Sequence, residues 1–232
     1  HSMIRNTVAF DIAQVIEHAW RQSDNAIGNG IPWSVHGQNV ELVFIENGEA
    51  HHVGNYYLCE QIKIDGNRLN INDSYEDVIK NNANPSLADC GYLLEFDSKD
   101  DNDPYFKTSN GIKVKFKDDA IDGTSLSTQV KSIVQDIEDK LDAGNYSAAY
   151  EKLDINSVID QWLIWELTFN REYGDPGSVY MYMNGDGKLC AGPVWDFDRG
   201  TFQNQEKATS LGNTDRVKPD NEWMCWRSAE TY

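Results

Sequence analysis

The segment from Asp154 to Asn170 limits the fold more than any other. Ile155, Val158, Ile159, Trp162, Leu163, Ile164, Trp165 and Leu167 leave it almost no polar face. A helix apolar nearly all round belongs inside a protein core or a membrane. This one is shorter than the roughly 20 apolar residues needed to span a bilayer, and no run elsewhere comes close. The spacing therefore predicts a central helix, N-capped by Asp154 and ending near Asn170, around which the remaining chain must wrap.

The remaining chain supplies strands as well as helices. Val8, Ile12, Val15, Ile16 and Ala19 recur at helical spacing and predict a first helix from Asn6 to Arg21. Val40 to Ile45 and Tyr56 to Ile64 read as a hairpin, with Asn47-Gly48 as a turn signal and a connection longer than the two-residue minimum. Asp73 to Leu87 is polar and irregular. Strands are expected at Gly91 to Asp97 and at Lys113 to Lys117. A long helix from Ser125 to Leu141 carries the stripe Leu126, Val130, Ile133, Val134, Ile137 and Leu141. After Asn170, Gly174, Pro176 and Gly177 mark a loop. A second hairpin follows, from Val179 to Met183 and from Leu189 to Phe197, about the turn Asn184 to Gly187. No repeat or linker divides the chain, so the pattern is that of one α+β domain.

His1-Ser2-Met3 reads as the remnant of a cloning tag, which leaves residues 4–232 as the domain. Core-type patterning runs abruptly into both ends, through Trp223, Met224 and Trp226 at the second, as expected of an internal fragment. The lack of a signal peptide then says nothing about the whole protein. The four cysteines, Cys59, Cys90, Cys190 and Cys225, form no C-x-x-C pair, which argues against zinc and leaves buried thiols or disulfides open.

Charge narrows the function. With 38 acidic against 20 basic residues, the net charge of −18 opposes nucleic-acid binding and favours a basic macromolecular partner. Within that surplus, Trp195-Asp196-Phe197-Asp198 is the sharpest local feature. In an extended segment side chains alternate, so the two aspartates share one face and the two aromatics the other. Carboxylates that close repel unless a cation lies between them, and Mg²⁺ is held by a few carboxylates plus phosphate oxygens. The alternative is a turn-capping Asp beside one paired with Arg199. Glu60 alternates with Tyr56, Leu58, Ile62 and Ile64, so it is expected to face the core and to need a cation such as Arg5 or Lys113. A structural salt bridge or a misassigned face is the other reading. Glu166 and Asn170 share one helical face. Beyond them, Arg171, Glu172 and Asp175 lie in a loop between rigid elements, where a carboxylate can serve as a general base, or be merely solvated. The acidic run from Asp97 to Asp103 lacks the glycine and terminal glutamate of an EF-hand, so a solvated loop is expected over a Ca²⁺ site. Signatures of P-loop enzymes, zincins, α/β-hydrolases and standard protein kinases are all missing.

Taken in order, five segments resemble the CotH (spore coat protein H) kinase-like family, in a form similar to its Bacteroidetes members. They are Met3 to Asn6 with the first helix, Gly54 to Ile62, Gly91 to Glu95, Trp162 to Asn170, and Gly192 to Asp198. The resemblance implies an atypical protein-kinase-like domain, with antiparallel hairpins packed on a few helices and incomplete at the N-terminus. It implies Mg²⁺- (or Mn²⁺-) and ATP-dependent phosphorylation of serine or threonine in a secreted or cell-surface protein. On it Asp196 is the chief metal ligand, with Asp198 and Asn170 as further metal residues. Glu60 and Arg5 serve the nucleotide, and Glu172 or Asp175 is the base. In an active enzyme the carboxylates of Glu60, Glu172 and Asp196 should converge on one cleft. Two positions depart from the family pattern: Glu172 stands where Asp is expected, and Ser178 near an expected metal-binding Asn. The alternative function is therefore an inactive kinase-like domain serving as a surface binding or adhesion module.

Overall fold

The computed structural model describes residues 4–21, 30–170, 177–198 and 201–202. The chain begins with helix α1 (Arg5–Arg21) and a hairpin of β1 (Gly37–Glu46) and β2 (Glu49–Cys59). A short helix α2 (Tyr75–Val78) precedes the strands β3 (Tyr92–Phe96), β4 (Tyr105–Lys107) and β5 (Lys113–Phe116). Helices α3 (Ser125–Asp142) and α4 (Tyr146–Tyr150) come next, then β6 (Leu153–Asp154) and helix α5 (Ile155–Leu167). Strands β7 (Val179–Met183) and β8 (Leu189–Ala191) complete the described elements. This is the α+β architecture expected, with antiparallel hairpins and a few helices.

The first hairpin stands as its own two-stranded sheet. Its connection is tighter than expected: Glu46 pairs with Glu49 across Asn47-Gly48. Both turn residues have positive φ, 52° and 85°, the conformation that suits Asn-Gly to a two-residue hairpin. The face assignment is corrected too. Tyr57 and Cys59 pack toward α1, whereas Tyr56 and Leu58 are 44% and 61% exposed. The strand ends at Cys59, and Glu60 lies beyond it.

The larger sheet has the order β4-β5-β3-β7-β8-β6. Its neighbours are antiparallel except for the parallel pair β6 and β8. Strand alternation gives it two unlike faces. One carries Tyr92, Leu94, Val114, Phe116, Met183 and Leu189, on which α3 lays Leu126, Val130, Val134 and Ile137. Each such buried apolar side chain contributes about 1.5–3 kcal/mol. The other face carries Glu95, Asp97, Lys113, Lys115 and Tyr180.

A second core joins α1 to α5. Ala9, Phe10 and Ala13 pack with Ile164, Trp165, Val179, Val194 and Phe197. The stripe on α1 is thus rotated from the expected one, and Val15 is 69% exposed. On α5, Asp154 is the N-cap as expected, accepting from the Asn156 and Ser157 N–H groups at 3.1 Å each. The helix is not buried all round, since Leu167 is 57% exposed. Its buried side instead includes polar groups that serve neighbouring backbone. Ser157 Oγ accepts from Ala191 N, Asp160 Oδ2 accepts from Ile31 N, and Gln161 Nε2 donates to Tyr180 O. The first and third of these bonds fix α5 against β8 and β7, whose ends carry the candidate site.

Candidate active site

Strand β8 stops at Ala191, six positions short of the expected Phe197. The cis Gly192-Pro193 bond follows, and the backbone runs irregularly through Trp195 and Asp196. Val194 and Phe197 are buried and anchor this loop in the second core, where Phe10 meets both the Trp195 and Phe197 rings at 5.8 Å. Asp196 takes a left-handed conformation with φ 59°, uncommon for any residue but glycine and better tolerated by Asp than by most. The extended geometry expected of this segment is therefore corrected. Its consequence survives by another route, because the turn itself brings Asp196 and Asp198 within hydrogen-bonding reach.

Electrostatics at the pair follow from that closeness. Burial, and then the Asp198 carboxylate beside it, push the Asp196 pKa up to about 6. Lys99 and the Ser178 hydroxyl pull the other way. Ser178 Oγ donates to Asp196 Oδ2 at 3.4 Å, from a residue that also has positive φ, 55°. The site thus presents two carboxylates and a hydroxyl, all hard oxygen donors. That chemistry fits a divalent cation of the Mg²⁺ or Mn²⁺ class. No cluster of three His, Cys, Asp or Glu suited to a metal occurs among the described residues.

The remaining expected site residues are distributed as follows. Asn170 is fully buried at the end of α5, and its N–H donates to Trp165 O at 2.9 Å. Glu172 and Asp175 lie outside the described residues, so the convergence expected of Glu60, Glu172 and Asp196 concerns only its two outer members here. Glu60 does not point into the core and does not meet Arg5 or Lys113. Its carboxylate oxygen Oε2 accepts from the His36 backbone N–H at 2.9 Å and lies 2.9 Å from His36 Nδ1, in a side chain 37% exposed. The reason is the early end of β2, which leaves Glu60 at the hairpin base rather than on the strand. Arg5 instead reaches the aspartate loop, where Nη1 donates to Asp198 O at 2.8 Å. Asn6, which the sequence did not single out, accepts from Phe197 N at 2.7 Å.

The acidic run is a surface loop, exposed over residues 98–102 as expected, but its carboxylates are paired with lysines. Lys115, 0% exposed, bonds Asp97 at 2.9 Å and also Asp101. Lys117 bonds Glu95 at 2.9 Å and Asp103 at 2.5 Å. Lys113 bonds Asp100 and the Lys99 carbonyl, and it lies over the Tyr105 ring. Alternation puts Lys113 and Lys115 of β5, and Lys117 just beyond it, on one face, so the loop folds back along the strand. Burial works against the Lys117 charge, but Asp103 and Glu95 outweigh it and raise its pKa. This fold-back leaves Lys99 at the loop tip, where its charge reaches Asp196.

Beside Trp195 the polar face of the sheet borders an open cavity of about 710 Å³. Ile62, Leu93, Tyr180, Lys117, Glu76 and Asp118 are among the residues that line it. A larger cavity, about 900 Å³, lies between α1 and residues 66–71; neither aspartate of the pair lines either cavity, and only the smaller one reaches their neighbour Trp195. Cys59, Cys90 and Cys190 are free thiols, while Cys225 is outside the described residues. Burial pushes Cys190 up to about 12, which leaves it inert.

Comparison with known proteins adds one finding. The family model described as CotH kinase protein matches residues 1–229. No curated protein and no solved structure matches the chain.

Proposed function

The chain belongs to the CotH kinase family, and from that premise we propose that it transfers phosphate from Mg²⁺- or Mn²⁺-bound ATP to a serine or threonine hydroxyl of a secreted or cell-surface protein. The observation that carries this reading is the Asp196–Asp198 pair, held close despite its repulsion, with Ser178 against one carboxylate. An unfilled carboxylate pair is costly, and a scaffold has no need of it.

In this reading Asp196 is the principal metal ligand and Asp198 the second. Ser178 orients Asp196 and takes the place of the amide found in family kinases. Asn170, buried just past α5, is a further metal residue, and Glu172 or Asp175, shortly after it in sequence, accepts the proton of the substrate hydroxyl. When bound, the divalent ion would neutralise charge on the phosphates and align the transferred group. The cavity at Trp195 offers room for the nucleotide, within the range of small-molecule sites. The net charge of −18 favours a basic substrate. Export of the protein is part of the same proposal.

A thermal-shift titration with ATP, with and without Mg²⁺ or Mn²⁺, tests it on wild type and Asp196→Ala. Ligand that binds only the folded state raises the melting temperature by mass action. A metal-dependent rise in wild type, absent in Asp196→Ala, is expected. Its absence in both would favour the second reading, a kinase-like binding module, to which the Ser178 and Glu172 departures point.

A further inference from the structure

The aspartate loop is gripped from the opposite end of the chain. Asn6 Oδ1 accepts from the Phe197 N–H at 2.7 Å, and Arg5 Nη1 donates to the Asp198 carbonyl at 2.8 Å. The first bond fixes the plane of the peptide between Asp196 and Phe197. The second fixes the carbonyl that follows the Asp198 side chain. Together they bracket the turn that brings the two carboxylates together.

That turn works against two opposing tendencies. Asp196 holds φ at 59°, a conformation an aspartate leaves readily when unconstrained. Two nearby carboxylates also repel, and the turn would relieve the repulsion by opening. The direct contact to Asp196, from Ser178, is long at 3.4 Å. The Arg5 guanidinium is bonded to a carbonyl, so it acts on the backbone and does not form an ion pair with either carboxylate in this bond. Apolar contacts of Phe10 with Trp195 and Phe197 seat the loop in the core, but non-directional packing does not set a peptide plane. The two polar bonds do, because hydrogen bonds are directional.

We propose that Asn6, supported by Arg5, is a positioning residue that sets the spacing of Asp196 and Asp198 for a divalent cation. The inference rests on the reading of that pair as cation ligands. Groups that orient metal ligands without touching the metal commonly change affinity by roughly 10–100-fold when removed. Asn6 then tunes cation affinity from the first turn of α1, and the first helix is part of the site.

Mn²⁺ titration followed by electron paramagnetic resonance tests this on the whole chain, without nucleotide or turnover. Wild type, Asp196→Asn, Asn6→Ala, Asn6→Asp and the exposed-surface control Val15→Ala are compared. Asn6→Ala is expected to weaken Mn²⁺ binding roughly 10-fold or more. Asn6→Asp, which keeps the acceptor oxygen, should restore most of it, and Val15→Ala should match wild type. Arg5→Gln provides a second variant, with a smaller loss expected, should Asn6→Ala fold poorly. If Asn6→Ala and Arg5→Gln both bind Mn²⁺ as wild type does, the positioning role is wrong while the site stands. If wild type shows no Mn²⁺ binding that Asp196→Asn removes, the cation reading fails and the inference with it.

Discussion

Asp196 combines three unfavourable circumstances: partial burial, a like charge alongside and a left-handed backbone. The first two set a prediction. A carboxyl whose folded pKa lies above its unfolded value of about 3.9 favours the folded state while protonated. That contribution is complete below about pH 4 and is lost as pH rises through about 6. Asp196→Asn removes the titration. The metal-free variant is therefore expected to lose less thermal stability than wild type between about pH 4 and about pH 7. Melting curves across that range check it, and parallel curves for the two proteins would rule out Asp196 as the source. At neutral pH, Mn²⁺ should return stability to wild type and not to the variant.

At the scale of elements, β5 and the acidic loop form one unit, in which alternate lysines draw the loop back onto the strand. Burial decides how much each pair matters. Lys115 is 0% exposed and its partner Asp97 5%, whereas Lys117 is 27% exposed. Lys115→Met would leave Asp97 charged and buried without its cation, a loss of about 3–5 kcal/mol. Lys117→Met should cost clearly less, because solvent screens its partners. Urea unfolding of both variants gives the comparison, and equal costs would contradict the burial argument. The alternation of Lys113, Lys115 and Lys117 was legible in the sequence, as was the acidic run. Their pairing was not, because it depends on β3 and β5 lying side by side in one register.

For the molecule as a whole, the two sheets differ in support. The larger one is covered on its apolar face by α3 and ties to α5, while the β1–β2 hairpin leans on α1 near its base and exposes Phe44 and Ile45 by 59% and 70% toward its tip. Two-stranded hairpins have little stability of their own. Amides near the tip, from Val43 to His52, are expected to exchange with solvent well before those of β3 and β7, as hydrogen-exchange mass spectrometry would show. Equal protection would mean that something covers the hairpin in solution.

The sequence by itself determined the family, the α+β class, the cap of α5, the stripe of α3 and the aspartates worth attention. Each of these is written in local order: periodicity, a capping side chain, or short motifs in a fixed succession. Only the tertiary structure decided how those aspartates meet, through a left-handed turn after a shortened strand. It also assigned Arg5 to Asp198, gave Glu60 to His36, and brought Asn6 to the Phe197 N–H across a separation of 191 positions. Local pattern cannot encode such contacts, because hydrogen-bond geometry between distant segments is fixed by how whole elements pack. Here the packing of Phe10 against Trp195 and Phe197 sets that geometry, placing the first turn of α1 over the loop.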